Sequence, residues 1–317
     1  MSGGSVRWWT RREFLRSAAT AAVAGSAGIS AFSRDAPQTG PATPAGGERA
    51  ASKRPVPGRA KVVLVRDPDA LDAGRKPRAE VVARMLDLGV AALMGESSAE
   101  AAWARLIKPA DTVGIKSNAW RFLNTTPEIE GAIRRRVLGA GVEEDRVAVD
   151  DRGVLENRVF LRSTALINAR PMRTHHWAGV GSCIKNYIMF SPDPPSWHDD
   201  ACANLAGLWD LPAVREKTRL NVLVMLTPLF HGKGPHDFDP RYTWEYRGMI
   251  LGTDVVAVDA TGLRILEAKR REFFGEDPPF ATSPKHIRVA QEKFRLGVAD
   301  PARIEIMRLG ETEGALI

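Results

Sequence analysis

Between Lys61 and Leu309, short aliphatic runs alternate with longer segments whose apolar positions recur every three or four residues. Residues 61–66 (KVVLVR) are β-branched and aliphatic without polar alternation, the pattern of a strand buried on both faces. Residues 78–94 carry helical spacing, with Gly95 placed to end the helix. Residues 98–107 predict a second, short helix, and 111–118 (DTVGIKSN) a strand ending in polar residues. Pro127 suits the first turn of a helix through Ala140, stopped by Gly141. Residues 146–151 and 163–170 repeat the strand form, and LNVLVMLT (220–227) is the strongest strand in the chain. Residues 249–269 read as a strand or turn leading into a helix, 285–296 as a helix and 302–308 as a final strand. This order predicts an α/β fold, a mostly parallel or mixed sheet with helices on both faces. In such sheets ligands lie beyond the C-terminal strand edges. Those edges carry Lys116 and Asn118, then Asp150 and Asp151, then Asn168 and Arg170.

The first 59 residues break the pattern. Thr10-Arg11-Arg12-Glu13-Phe14-Leu15-Arg16 resembles the twin-arginine export signal, and no further charge follows until Arg34. The intervening stretch is rich in Ala and Gly, too short and too weakly apolar for a spanning helix, which needs about 20 apolar residues. Small residues at its end suit a signal peptidase. Residues 1–33 are therefore expected to be a signal peptide. Residues 34–59, nine of them Pro or Gly, read as a disordered linker, and 60–317 as the folded domain. The resemblance implies passage through the twin-arginine machinery, a periplasmic or extracellular location and no stable membrane anchor.

Composition narrows the partners. The 317 residues hold 45 Lys and Arg against 38 Asp and Glu, for a net charge of +7. Residues 1–35 contribute five arginines against two acids, and the rest of the excess is spread thinly. No basic block with interleaved aromatics is present, so a nucleic-acid partner is not expected. The two cysteines, Cys183 and Cys202, cannot supply four thiolates, which excludes a Cys-ligated iron–sulfur cluster within one chain. Free, buried thiols are the simpler reading.

Candidate chemistry gathers in residues 168–190, where Arg173, His175, His176, Lys185 and Asn186 lie among small residues. Five of the six histidines fall between 175 and 236, including His198 beside Asp199 and Asp200, and His231 and His236 in HGKGPH. Imidazoles and carboxylates are ligands for a divalent transition metal and act as acid–base groups near neutral pH. In an extended segment His175 and His176 point to opposite sides, so at most one faces a given pocket. His198 with Asp199 and Asp200 suits function or helix capping equally. Asp254 and Asp259 in GTDVVAVDATG divide between capping a helix and facing a site. HGKGPH lacks P-loop spacing, and no GxSxG nucleophile elbow occurs.

GIKSN (114–118), TPE (126–128), VAVDD (147–151), LINARPMRTHHWAGVGSCIKN (166–186) and GTDVVAVDATG (252–262) resemble the family called domain of unknown function 362. The similarity spans roughly residues 60–310. Asn168, Thr174, His175, Lys185 and Asn186 match its central block, whereas Arg170 and Arg173 stand where lysines are common. The resemblance supplies no settled reaction. Two functions stay open: an exported enzyme acting on a small anionic molecule by redox or hydrolytic chemistry, or an exported ligand-binding or cofactor-maturation protein. In the first, Lys116, Asn118, Arg173, Lys185 and Asn186 bind substrate, and His175, Asp150 and His198 are catalytic. His175, His198, Asp199 and Asp259 form the candidate metal set.

Overall fold

The first strand, β1 (Ala60–Arg66), lies between the two most distant partners the chain offers. It runs parallel to β8 (Ile304–Gly310), with Ala60 opposite Ile304, and antiparallel to β7 (Gly248–Gly252). β7 is also antiparallel to β6 (Thr218–Leu229). Beyond β6 the sheet continues in parallel through β4 (Ala165–His175), β2 (Val113–Lys116) and β3 (Val147–Asp150). The spatial order is β3-β2-β4-β6-β7-β1-β8, with the short β5 (Gly179–Gly181) paired antiparallel to β4. This computed structural model describes residues 54, 55, 58–234 and 237–317. The expected signal segment, nearly all of the linker and His236 lie outside them.

The fold is the expected α/β architecture, and its sheet is mixed. Alternate residues of each strand feed two separate cores. Val62 and Leu64 of β1 join one face, and Val63 and Val65 the other. The second face is covered by helices α1 (Ala79–Met94), α2 (Ala99–Leu106) and α3 (Pro127–Gly139). Gly95 ends α1 in the left-handed conformation (φ 69°), as its position in the sequence suggests. Ser98 caps α2 by accepting from the Ala101 amide at 3.1 Å. The first face is covered by α4 (Arg158–Leu161), the single turn α5 (Cys183–Asn186), α6 (Val255–Phe274), α7 (His286–Glu292) and several 3₁₀ turns. No helix among the described residues is long and apolar enough to cross a membrane.

Two segments differ from the periodicity. β4 continues five residues past Arg170, through a proline that interrupts its register. Its partner positions in β6 jump from Val224 opposite Pro171 to Leu229 opposite Arg173. Pro171 lacks an amide hydrogen and sits at that slip, and beyond it the strand is held by β5. The helix expected over 285–296 ends at Glu292, because Arg295 turns into the left-handed region (φ 50°).

Candidate functional site

Buried asparagines tie the C-terminal end of β2 to the first halves of β4 and β6. The Asn186 amide donates to Asn168 Oδ1 at 2.8 Å, and Asn168 donates to Asn221 Oδ1 and to the Cys183 carbonyl, both at 3.0 Å. Asn221 in turn donates to the Gly252 carbonyl at 3.2 Å. Asn118 joins at the other end by donating to Asn186 Oδ1 at 3.4 Å. This chain of amides crosses four strands and fixes α5 over the sheet.

Asp259 fixes the other end of α5. Buried on α6, it accepts from Ser182 Oγ (2.6 Å), the Ile184 amide (2.8 Å) and the Cys183 amide (2.9 Å). Burial pushes its carboxyl up to about 6, while these hydrogen bonds pull the other way. Asp254 is the cap of α6, accepting from the Val256 and Ala257 amides. Asp259 therefore orients the turn that carries Lys185 and Asn186.

A pocket of about 300 Å³ opens beside α5, lined by Asn118, Arg170, Arg173, His175, Lys185 and His198 among others. Asp151 and Arg152 contribute from the end of β3, and Trp120, Trp177, Ile188, Met189 and Pro194 supply apolar surface. Arg170, Arg173 and Lys185 are 4%, 2% and 3% exposed. The Arg170 guanidinium has no hydrogen-bond partner at Nε, and burial pushes it down to about 10. It fits there because residue 181 is glycine: a β-carbon at Gly181 would stand 2.7 Å from Arg170 Nη2. Arg173 donates from Nη1 to the Leu123 carbonyl at 3.2 Å and lies over the Trp120 ring at 4.4 Å. Burial also depresses its proton affinity, with Arg170 adding to the effect.

Lys185 Nζ donates to His198 Nε2 at 3.1 Å. His198 Nδ1 faces the Pro195 carbonyl at 3.3 Å, which can only accept, so Nε2 carries the lone pair. Burial, then the nearby Lys185 charge, pushes the His198 imidazole down to about 4. Burial likewise pushes Lys185 down to about 8; the Cys202 thiol lies 3.9 Å from its Nζ. Cys202 reaches that place through three consecutive left-handed residues, Asp200, Ala201 and Cys202. The Trp177 ring covers His198, centroid to centroid 4.1 Å.

His175 accepts at Nδ1 from the Trp177 amide at 3.2 Å, which leaves Nε2 as the N–H of a neutral ring. Burial, reinforced by Lys185 and Arg170, holds its proton affinity far below that of a free histidine. The rings of His175 and His176 do not point apart: they stack at 4.7 Å and 14°. β4 ends at His175, so strand alternation no longer applies to the next residue.

The structure thus brings Asn118, Arg173, His175, Lys185, Asn186 and His198 to one pocket. Others of the sequence-derived set stand apart. Lys116 is fully buried beneath the pocket, paired with Asp151 and donating to the Ser117 carbonyl at 2.7 Å. Asp150 accepts from the Gly153 amide at 2.9 Å and from the Asn157 side chain at 3.1 Å, closing the turn after β3. The carboxylate that lines the pocket is its neighbour Asp151, which also accepts from the Ala119 amide at 2.8 Å. Asp199 is exposed, and Asp259 is spent on α5. The four residues expected as metal ligands do not converge. Among the described residues, no group of three His, Cys, Asp or Glu side chains is placed to hold a metal ion.

Arg152 and Trp120 were not singled out in the sequence, and Asp151 and Arg170 were named only as polar residues at strand edges, without a site role. Arg170 carried a usable signal: it follows Asn168 by two positions on one strand and so shares its face. Both cysteines are free and buried, as expected.

Residues 143–264 match the family model for a domain of unknown function, DUF362. The matched segment holds Asp151, Arg170, Arg173, His175, Lys185 and His198, and leaves out Lys116, Asn118 and Trp120. No curated protein and no solved structure matches the chain.

Proposed function

We propose that the protein is an enzyme acting on a small anionic molecule, held by Arg170 and Arg173, with Lys185 and His198 handling a proton. The observation that carries this reading is the Arg170 guanidinium: buried, without a partner at Nε, and opening on the pocket. A buried charge lacking its counter-charge is costly, and an incoming carboxylate or phosphoryl group supplies one. Arg152, Arg170, Arg173 and Lys185 face a single carboxylate, Asp151, which Lys116 already pairs. The pocket therefore carries an excess of positive charge, and Trp120, Trp177, Ile188 and Met189 give it apolar walls for the rest of the ligand.

Lys185 and His198 favour turnover over simple binding. A donor set for an anion needs no base beside its lysine, whereas this pair holds an ammonium near its titration point against a neutral imidazole nitrogen. Among the described residues no three His, Cys, Asp or Glu side chains are grouped to hold a metal ion, so the proposed chemistry uses protein groups alone.

Calorimetric titration of the full chain with phosphate, oxalate and short dicarboxylates tests the reading. Saturable one-to-one binding that falls at least about tenfold in Arg170→Gln is expected. Absence of binding to every anion in that panel overturns it.

We also propose that the chain is exported through the twin-arginine route, on the strength of Thr10–Arg16 and the soft apolar run that follows. Replacing Arg11 and Arg12 together with lysine should retain the protein in the cytoplasm on cell fractionation. Unchanged export of that variant overturns the proposal.

A further inference from the structure

We infer that Lys185 is a nucleophile that forms an iminium with the carbonyl of a short oxo acid whose carboxylate rests on Arg170 and Arg173. The inference rests on the anion-binding reading above and names the class of molecule that the pocket takes.

Four observations converge. Lys185 is 3% exposed yet lines the pocket, so its Nζ meets whatever enters and little else. No carboxylate forms an ion pair with it among the described residues; its contacts are the His198 imidazole at 3.1 Å and the Cys202 thiol at 3.9 Å. Neither is an anion at neutral pH: burial raises the Cys202 thiol, and His198 is a neutral acceptor. Two further cations, Arg170 and Arg173, share the cavity and disfavour a third positive charge. Desolvation beside cationic groups is how a lysine amine becomes available as a nucleophile at neutral pH.

The chemistry closes on groups that are present. His198 Nε2 takes a proton from the Lys185 ammonium. The freed amine adds to the ketone carbon, forming a C–N bond as the C=O π pair moves to oxygen. That oxygen takes up the proton returned by imidazolium His198, and a second proton from the carbinolamine nitrogen by way of the same imidazole. Water then leaves, and the nitrogen lone pair forms the C=N bond. Ammonium and ketone thus become iminium and one water, with no oxidant, reductant or metal consumed. The neutral His175 Nε2–H is a further donor on the pocket wall for the departing oxygen. The iminium serves proton exchange at the neighbouring carbon, carbon–carbon cleavage one bond further out or, in a 3-oxo acid, loss of the carboxylate, each by drawing an electron pair toward nitrogen.

The test is reductive trapping. The full chain is incubated separately with pyruvate, acetoacetate and 2-oxoglutarate in the presence of sodium borohydride, digested and mapped by mass spectrometry. Hydride addition to an iminium leaves a stable secondary amine. A near-stoichiometric adduct on the peptide carrying Lys185, absent without borohydride, is the expected result for at least one of the three acids. His198→Gln should slow its formation at least about tenfold. Oxalate, which binds through carboxylates and has no ketone, should compete with the trapped acid and form no adduct itself. Should these anions bind while Lys185 stays unmodified, or modification fall only on other lysines, the iminium is overturned and the anion pocket stands. If none of them binds, both readings fall. Peptide mapping of the unmodified sequence decides the question even if Lys185→Met does not fold.

Discussion

Two lysines are buried, one in β2 and one in α5 above the sheet, and burial moves both down to about 8, yet they are built for different ends. Lys116 on β2 meets a carboxylate, Asp151, and a backbone carbonyl. Lys185 on α5 meets an imidazole and a thiol. The first is a closed ion pair under the pocket floor, and the second is an open one, with its missing anion to be brought by a ligand. Equal proton affinities therefore say nothing about availability. What separates the two is whether the counter-charge belongs to the protein.

Opening the closed pair is expected to have the largest effect. Asp151→Asn leaves Lys116 buried without compensation, and should cost about 3–5 kcal/mol in chemical denaturation. A loss below 1 kcal/mol would show that the pair is not a structural one. Arg170→Met should do the opposite to the fold. Removing a charge with no partner at Nε leaves stability unchanged or improved, while affinity for a bound anion drops by about 1.5–3 kcal/mol in calorimetry. A destabilised Arg170→Met with intact binding would reverse the assignment.

A milder effect is expected from pH. Each lysine has its ordinary value near 10.5 when unfolded and about 8 when folded. Between those values the unfolded chain binds more protons, so stability should rise as pH increases from about 8 to about 10. Lys185→Met should remove its share of that slope and leave that of Lys116, as read from denaturation midpoints across the range. An unchanged slope would place the titration elsewhere. The smallest expected change is that of Gly181→Ala. The added methyl displaces the flexible end of Arg170 rather than backbone, so binding should weaken by about 1 kcal/mol, with the unfolding temperature nearly unchanged.

The elements were legible in the sequence because both sheet faces are buried, which turns strands such as 61–66 and 220–227 into unbroken aliphatic runs. Their order in the sheet was not. β7 reads like any other buried strand, and its antiparallel direction depends on contacts with β1 and β6 that no local pattern encodes. The site was legible where it lies in one continuous block, as with Arg173, His175, Lys185 and Asn186. It failed at ends of elements. Asp150 and Asp151 are adjacent, and which one faces the pocket is settled by the turn at Gly153, not by strand alternation. Asp259 was placed in the candidate metal set, with Asp254 and Asp259 divided between capping a helix and facing a site. Its partners are the amides of a turn 75 and 76 residues earlier, contacts invisible without the fold.

The placement of β1 has a consequence for how the protein is made. Its two neighbours, β7 and β8, emerge from the ribosome only after some two hundred further residues have been synthesised. Until then the aliphatic run 61–66 has no native strand to pair with, and the sheet cannot close. Closing the sheet around β1 is therefore a late step of folding. A nascent chain must be kept from aggregating through most of its synthesis, and a stop codon placed before β8 should yield an insoluble product however complete the pocket residues are.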